Sequence, residues 1–223
     1  MAYSRFDLST EQNQIVKWSN ADHAEVPITS LSTEDWGVDQ WSPDGRSLLV
    51  THSVGKQRTE IWQIPLDAHP AGESTPRKLI SDPSLDLFQA QFSPDGKWIS
   101  FLAVNEKPDV RELTIYVTPS AGGKWIRITD GKHWDDIPRW SPDGKIIYFV
   151  SNRAGFFNVW GLHFDPLKGQ AIGDAFQVTS FNRPNLMVLN DIQWVGFSLG
   201  LNRLAITTEE ASGSIWILNH VDP

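Results

Sequence analysis

The sequence predicts an all-β chain made of four-stranded antiparallel units in tandem, and three observations carry that reading. The first is a turn that occurs three times: Trp41-Ser42-Pro43-Asp44-Gly45-Arg46, Phe92-Ser93-Pro94-Asp95-Gly96-Lys97 and Trp140-Ser141-Pro142-Asp143-Gly144-Lys145. Its serines fall at 42, 93 and 141, in steps of 51 and 48 residues. The second is that each turn joins an aromatic residue to an apolar run, as the two strands of a hairpin would be joined. The third is a recurring second half. Ile61-Trp62, Ile115-Tyr116, Val159-Trp160 and Ile215-Trp216 mark one strand of each unit. Leu79-Ile80-Ser81, Arg127-Ile128-Thr129 and Gln177-Val178-Thr179 mark the next. No stretch sustains a helical apolar period. Four strands in about fifty residues, repeated, is the pattern of a propeller blade.

The turn itself has a physical reading. Ser suits the first turn position, Pro presets φ at the second, and Asp tolerates the third. Gly then accepts the left-handed conformation that closes a type I turn with a bulge. The strands that follow are Ser47-Leu48-Leu49-Val50, Trp98-Ile99-Ser100-Phe101-Leu102 and Ile146-Ile147-Tyr148-Phe149-Val150.

Taken in order, residues 1–30 read as a partial N-terminal blade. Ala2-Tyr3-Ser4-Arg5, Asn13-Gln14-Ile15-Val16-Lys17-Trp18 and Val26-Pro27-Ile28-Thr29 match second, third and fourth strands without an inner one. Residues 31–80, 81–129 and 130–180 read as full blades. Residues 181–223 read as a last blade lacking its fourth strand, with Ile192-Gln193-Trp194, Arg203-Leu204-Ala205-Ile206-Thr207 and Ser214-Ile215-Trp216-Ile217-Leu218 as its strands. There the turn is replaced by Val195-Gly196-Phe197-Ser198-Leu199-Gly200-Leu201-Asn202. The ends allow either an incomplete ring or closure of the last blade by residues 26–30, and an arc is the expectation. An arc leaves open blade edges, so self-association is expected with it.

The composition contains 11 Trp in 223 residues, and five of them fall at matching points of the repeat: Trp41, Trp62, Trp140, Trp160 and Trp216. That periodicity points to packing rather than ligand stacking. A net charge of −8 argues against a nucleic-acid groove, which needs clustered Lys and Arg. No apolar run approaches the ~18 residues of a membrane span, and Met1-Ala2-Tyr3-Ser4-Arg5 has no signal-peptide core. Zero Cys excludes disulfides, thiolate metal sites and a Cys nucleophile. It does not decide the compartment: a soluble chain is expected, cytoplasmic or, as part of a longer protein, in the cell envelope or periplasm.

Two motifs carry apparent chemistry. Gly196-Phe197-Ser198-Leu199-Gly200 spells the nucleophile elbow, but that motif works on a strand-to-helix turn and here precedes a strand. Ala121-Gly122-Gly123-Lys124 lacks the spacing of a phosphate loop and reads as a hairpin turn. The turn aspartates Asp44, Asp95 and Asp143, each in its own blade, are expected to act locally rather than on a metal.

The loops entering each first strand hold the more informative groups: Glu34, Asp35, Trp36 and Asp39; Asp82 and Asp86; His133, Trp134, Asp135 and Asp136; Asn190 and Asp191. In a propeller such loops converge on one rim. The second-to-third-strand loops open on the same face and add His52, Arg58, Asn152 and Arg153. The functional expectation is a ligand or peptide site at that rim. The bland alternative is solvated loops whose carboxylates bond nearby amides. A divalent metal at His133 with Asp135 or Asp136 is a lesser option. No catalytic residue and no cofactor are expected.

The Ser-Pro-Asp-Gly-Lys turn, the Ile-Trp strand and the Ile-Thr strand resemble the TolB-like, WD-repeat-like β-propeller repeats of bacteria. The run Asn202-Arg203-Leu204-Ala205-Ile206 through Gly213-Ser214-Ile215-Trp216-Ile217-Leu218 looks like the last repeat of propellers attached to bacterial receptor kinases and winged-helix regulators. The resemblance covers nearly the whole chain. It implies a non-enzymatic binding or sensor module for a protein, peptide or small ligand at the loop-bearing face. Similar blades form the gating propeller of dipeptidyl-peptidase-type serine hydrolases, whose catalytic domain would lie elsewhere. A stand-alone propeller lyase or glycosidase is the third reading.

Overall fold

The computed structural model describes residues 1–55, 58–66, 75–108, 110–183, 185–188, 197–210 and 212. Every element among them is a strand. The first sheet holds β1 (Ala2–Asp7), β2 (Gln12–Ser19) and β3 (Ala24–Pro27). Three four-stranded antiparallel sheets follow, each in simple up-and-down order. They are β4 (Trp36–Trp41), β5 (Ser47–Val54), β6 (Arg58–Pro65) and β7 (Arg77–Ile80); then β8 (Asp86–Phe92), β9 (Trp98–Glu106), β10 (Arg111–Pro119) and β11 (Ile126–Arg127); then β12 (Asp135–Trp140), β13 (Ile146–Ser151), β14 (Asn158–Asp165) and β15 (Gln170–Gln177). The last described strands are β16 (Leu186–Val188), β17 (Phe197–Gly200), β18 (Arg203–Ile206) and β19 (Thr208–Glu210), with β16 paired to β19 and β17 to β18. No helix among the described residues is long and apolar enough to cross a membrane.

The repeated turn closes each inner hairpin with the same bonds. The Ser42, Ser93 and Ser141 hydroxyls each donate to the aspartate two residues on, at 2.6 Å. The same hydroxyls accept the amides of Ser47, Trp98 and Ile146 at 2.9, 3.0 and 2.9 Å. The aspartates also accept the amides of Arg46, Lys97 and Lys145. Gly45, Gly96 and Gly144 take φ of 71°, 71° and 70°, as the left-handed closing position requires. The hydroxyl bond is the first cause holding each of these carboxyls below its usual pKa. Asp44, Asp95 and Asp143 are thus used up in their own turns.

A second repeated bond closes the outer half of a blade. The Thr29, Thr129 and Thr179 hydroxyls accept the amides of Ile15, Ile115 and Val159 at 3.0, 3.0 and 2.9 Å. This equivalence makes β2 the counterpart of β10 and β14. The three strands of the first sheet therefore correspond to the second, third and fourth strands of the full blades.

The second strands read as unbroken apolar runs because both of their faces are covered. Leu48 and Val50 pack toward the first sheet with Ile15 and Ile28, while Leu49 packs the other way with Leu87 and Phe101. Leu102 and Val104 meet Ile147 and Phe149 of the next blade. Val150 and Val159 meet Val188 and Phe197 of the last. Side chains alternating along one strand thus glue a blade to both neighbours. The periodic Trp residues are packing residues as expected: Trp140 is buried, and Trp41, Trp62 and Trp160 pack against core clusters. Trp216 lies outside the described residues.

Two boundaries differ from the sequence reading. The fourth strand of the third full blade starts at Gln170, well before Gln177, because a tight turn at Pro166–Gly169 sends the chain back along β14. In the last unit, residues 197–200 form a strand and the chain turns at Leu201-Asn202. Ile192-Gln193-Trp194 and Ser214–Leu218 lie outside the described residues.

One contact between blades depends on a missing side chain. Trp98 of β9 reaches the turn after β14, donates its indole N–H to the Pro166 carbonyl at 3.1 Å and packs edge-on to Phe164. Gly169, at φ 63°, sits under that indole, and a Cβ there would come within 2.2 Å of a ring carbon. Gly144→Ala should cost about 1 kcal/mol or more through its φ alone. Gly169→Ala should cost more, since the Trp98 contact is lost as well. Denaturation midpoints check both, and an unchanged midpoint for Gly144→Ala contradicts the hairpin geometry.

Candidate functional site

The loop-bearing face carries part of the predicted rim. Between the second and third sheets lies a cleft of about 840 Å³, lined by Asp35, Arg58, Pro83, Asp86 and Glu106 among others. Arg58 donates to the Pro83 carbonyl at 3.3 Å. Asp86 accepts the Thr59 amide at 3.0 Å, and the Thr59 hydroxyl in turn accepts the Leu87 amide at 2.9 Å. Burial pushes the Asp86 carboxyl above its usual pKa, against the pull of the Thr59 amide. Arg58 and Asp86 therefore belong to one cleft although 28 residues separate them. Glu106, at the end of β9, is a member that the sequence reading missed.

Other rim candidates are not loop residues. Trp36 and Asp39 lie in β4, and Asp135 and Asp136 open β12. Trp36 stacks on His52 at 3.9 Å and meets Trp62 edge-on at 5.5 Å. Asp135 is fully buried and pairs with Arg153 at 2.8 Å. Arg153 also donates to the Ser151 hydroxyl at 3.0 Å and lies over the Phe149 and Trp160 rings. The cation beside Asp135 is thus a guanidinium. Among the described residues no cluster of three or more His and carboxylate groups could hold a metal ion. His133 stays half-buried at the face beside Trp134, whose amide is held by Asn152 at 3.0 Å and whose ring lies under Arg111. Asn190 and Asp191 lie outside the described residues.

The inner strands share a second structural device. Each of β4, β8 and β12 carries a bulge a few residues before its turn. Gln89 and Ile137 adopt φ of 57° and 55° there, a strained conformation for β-branched Ile137. The strain is held in place by bonds: the Ile137 amide donates to the Gln89 side chain at 3.0 Å and to its neighbour Asp136 at 2.7 Å. Likewise the Gln40 side chain accepts the Phe92 amide at 2.6 Å. A bulge re-aims side chains, and here polar ones next to it line a cavity shared by the inner strands.

Gln40, Gln91 and Arg139, each two residues before a turn serine, line one cavity of about 330 Å³ together with Ser198 and Leu199. Four inner strands from four sheets therefore surround it. Asp39 and Asp136 lie near Arg139. Water reaches part of Asp39 and Arg139, yet protein encloses them. Burial pushes Asp39 up to about 7, opposed by the Thr51 hydroxyl that it accepts at 2.8 Å and by the Arg139 charge. Burial likewise pushes Asp136 up to about 6, and one of its oxygens is buried without a hydrogen bond. Arg139 is lowered by burial and supported by both carboxylates. Raised carboxyls beside an enclosed cation mark a functional-site candidate, though ion networks of purely structural use share the trait. Arg139 was missed as a strand residue. The signal was its alignment with Gln40 and Gln91, three polar residues each two places before a turn serine.

The elbow serine lies in β17, and Ser198 pairs with Ala205 across a hairpin to β18. The strand-to-helix turn that the motif needs is not formed there. Gly122 and Gly123, with φ of 89° and 148°, close the chain after β10, with the Gly122 amide on the Pro119 carbonyl at 2.8 Å.

No protein-family model matches the chain. It is 26% identical over 161 residues to an uncharacterized protein of Agrobacterium fabrum, covering 72% of this chain and 50% of that protein. It is 29% identical over 154 residues to a putative Tricorn-like protease C-terminal subunit of Sulfurisphaera tokodaii, covering 67% of this chain and 15% of that protein. The chain thus spans at most about half the length of these relatives. Among solved structures, TolB from Acinetobacter baumannii superposes with a TM-score of 0.63 at 20% identity, over 94% of this chain and 49% of that one. A puromycin-hydrolyzing peptidase of Mycobacterium tuberculosis gives 0.63 at 17%, over 93% and 35%. These likenesses establish a TolB-like β-propeller fold.

The two raised carboxyls give a pH prediction. Asp39 and Asp136 keep a proton in the folded chain where the unfolded chain, titrating near pH 4, has lost it. They therefore make stability fall as pH rises from about 4 to about 7. Asp39→Asn should melt at a higher temperature than the parent at pH 8 and close to it at pH 5. A parent more stable than the variant at pH 8 would contradict the burial of this carboxyl.

Proposed function

We propose that this chain is a non-enzymatic binding module that takes a peptide or protein segment at its loop-bearing face. The observation that carries the reading is the cleft holding Arg58, Asp86, Asp35 and Glu106. It combines fixed charges with the apolar ring of Phe88, on a rim set by rigid sheets. A sensor role, as in the propellers of receptor kinases and winged-helix regulators, is one form of the same proposal.

A second reading is favoured by the peptidase likenesses: a propeller that gates access to a serine hydrolase centre carried elsewhere. Both readings assign recognition to this chain and chemistry to none of its residues.

The test is nuclear magnetic resonance on the labelled chain titrated with unstructured peptides of mixed sequence. Shifts should concentrate at residues around Arg58 and Asp86 and spare the turns at Gly45, Gly96 and Gly144. Arg58→Glu should weaken binding about tenfold. Shifts confined to the turn-bearing side would overturn the assignment of the face. In parallel, parent and Ser198→Ala should be equally inert toward activated esters; a Ser198-dependent rate would make the chain an enzyme.

A further inference from the structure

Between the first and second sheets lies a separate pocket of about 640 Å³, and its chemistry differs from that of the charged cleft. Leu31, Glu34, Trp36, His52, Trp62 and Pro76 line it. Three rings form its wall: Trp36 stacked on His52 at 3.9 Å, and Trp62 edge-on to both, at 5.5 and 5.3 Å. The His52 side chain is only 9% exposed, yet neither of its ring nitrogens makes a hydrogen bond. Nε2 lies 3.2 Å from a carboxylate oxygen of Glu34, which stands 58% exposed at the mouth. The imidazole thus forms part of the ring wall with its nitrogens shut away, and the polar group that the pocket presents to solvent is the Glu34 carboxylate.

We propose that this pocket takes the cationic side chain of a partner peptide, with arginine the better fit. The proposal rests on the binding-module reading and gives it a ligand class. Indole faces attract cations, and a planar guanidinium stacks on them. Its several N–H donors can engage the Glu34 carboxylate in a bidentate pair while its plane lies on an indole. The chain shows the same chemistry internally. Lys78 Nζ lies 5.4 Å from the Trp62 ring centre and is held by Glu60 at 2.9 Å, while the Trp62 indole N–H donates to the other Glu60 oxygen. Lys78 is thereby matched by Glu60, whereas Glu34 at the pocket mouth has the His52 imidazole beside it and is 58% exposed. The net charge of −8 adds a field that favours a basic partner.

The experiment is calorimetric titration of the full chain with acetyl-Gly-Arg-Gly-amide and with its citrulline counterpart, which keeps the shape and removes the charge. The arginine peptide should bind at least about tenfold tighter than the citrulline one, and the lysine peptide should fall between them. Glu34→Gln, at an exposed position that leaves folding alone, should cut arginine affinity about fivefold or more. Trp36→Leu should abolish it. Equal affinity for arginine and citrulline, or no binding of either at millimolar peptide, overturns the cation assignment. Arginine binding that ignores Glu34→Gln and Trp36→Leu removes this pocket while leaving the binding-face reading in place. If, in addition, mixed-sequence peptides fail to shift the loop-bearing face, that reading falls with it.

Discussion

The serine hydroxyl of each repeated turn donates to an aspartate and accepts an amide from the following strand, and this pair of bonds sets the register of every full blade. A strand has a side-chain period of two, so a slip of one residue would send each core residue to the wrong side. In the second strands such a slip would exchange Leu48 and Val50 for Leu49, and so exchange which neighbour each blade faces. The turn serines are themselves buried, at 9%, 2% and 5% exposure, so their hydroxyls must find partners inside the protein. The aspartate and the strand amide are those partners. Local turn chemistry and the packing of whole sheets are therefore one constraint.

That register also decides what lines the cavity between the inner strands. Counting back two residues from each serine gives Gln40, Gln91 and Arg139, which line a common cavity. The bulge just before them turns the chain enough to bring Asp39, a hundred residues earlier, and Asp136 of the same strand toward Arg139. The cost is a strained Ile137 and carboxyls held in enclosed surroundings. The clefts between blades have a different origin. Sheets that fan out from an axis part at the rim, and the loops there are free to vary. The charged cleft at Arg58 and the aromatic pocket at Trp36 lie in successive gaps of this kind.

The fold was legible because the repeat is written in residues with obligatory roles. Ser-Pro-Asp-Gly forces a turn, and the apolar runs force two-sided burial. The recurring Thr, noted in sequence only as the end of a strand, proves to bolt the fourth strand to the third through its hydroxyl. Strand limits were less legible. The fourth strand ending at Gln177 begins at Gln170, where Gln170-Ala171-Ile172-Gly173-Asp174 gives no apolar run because one side of that outer strand meets solvent. The rim was half legible. Arg58 and Asp86 are the first residues of β6 and β8, beside the loops, and reach the cleft, whereas Asp39, Asp135 and Asp136 are enclosed in inner strands; acidic residues next to a bulge look like loop residues in a sequence. Arg139 was not singled out at all, since a lone Arg before the turn aromatic carries no local signal in one copy of the repeat.

Turn register brings Asp39 and Arg139, on separate blades, to one enclosed site. A double-mutant cycle on unfolding free energy, with Asp39→Asn and Arg139→Gln, tests this most directly. The account predicts a favourable coupling of about 1 kcal/mol at pH 8, fading at pH 5 as Asp39 takes up its proton. Additive effects at both pH values would mean that the two residues do not meet, and would contradict the account.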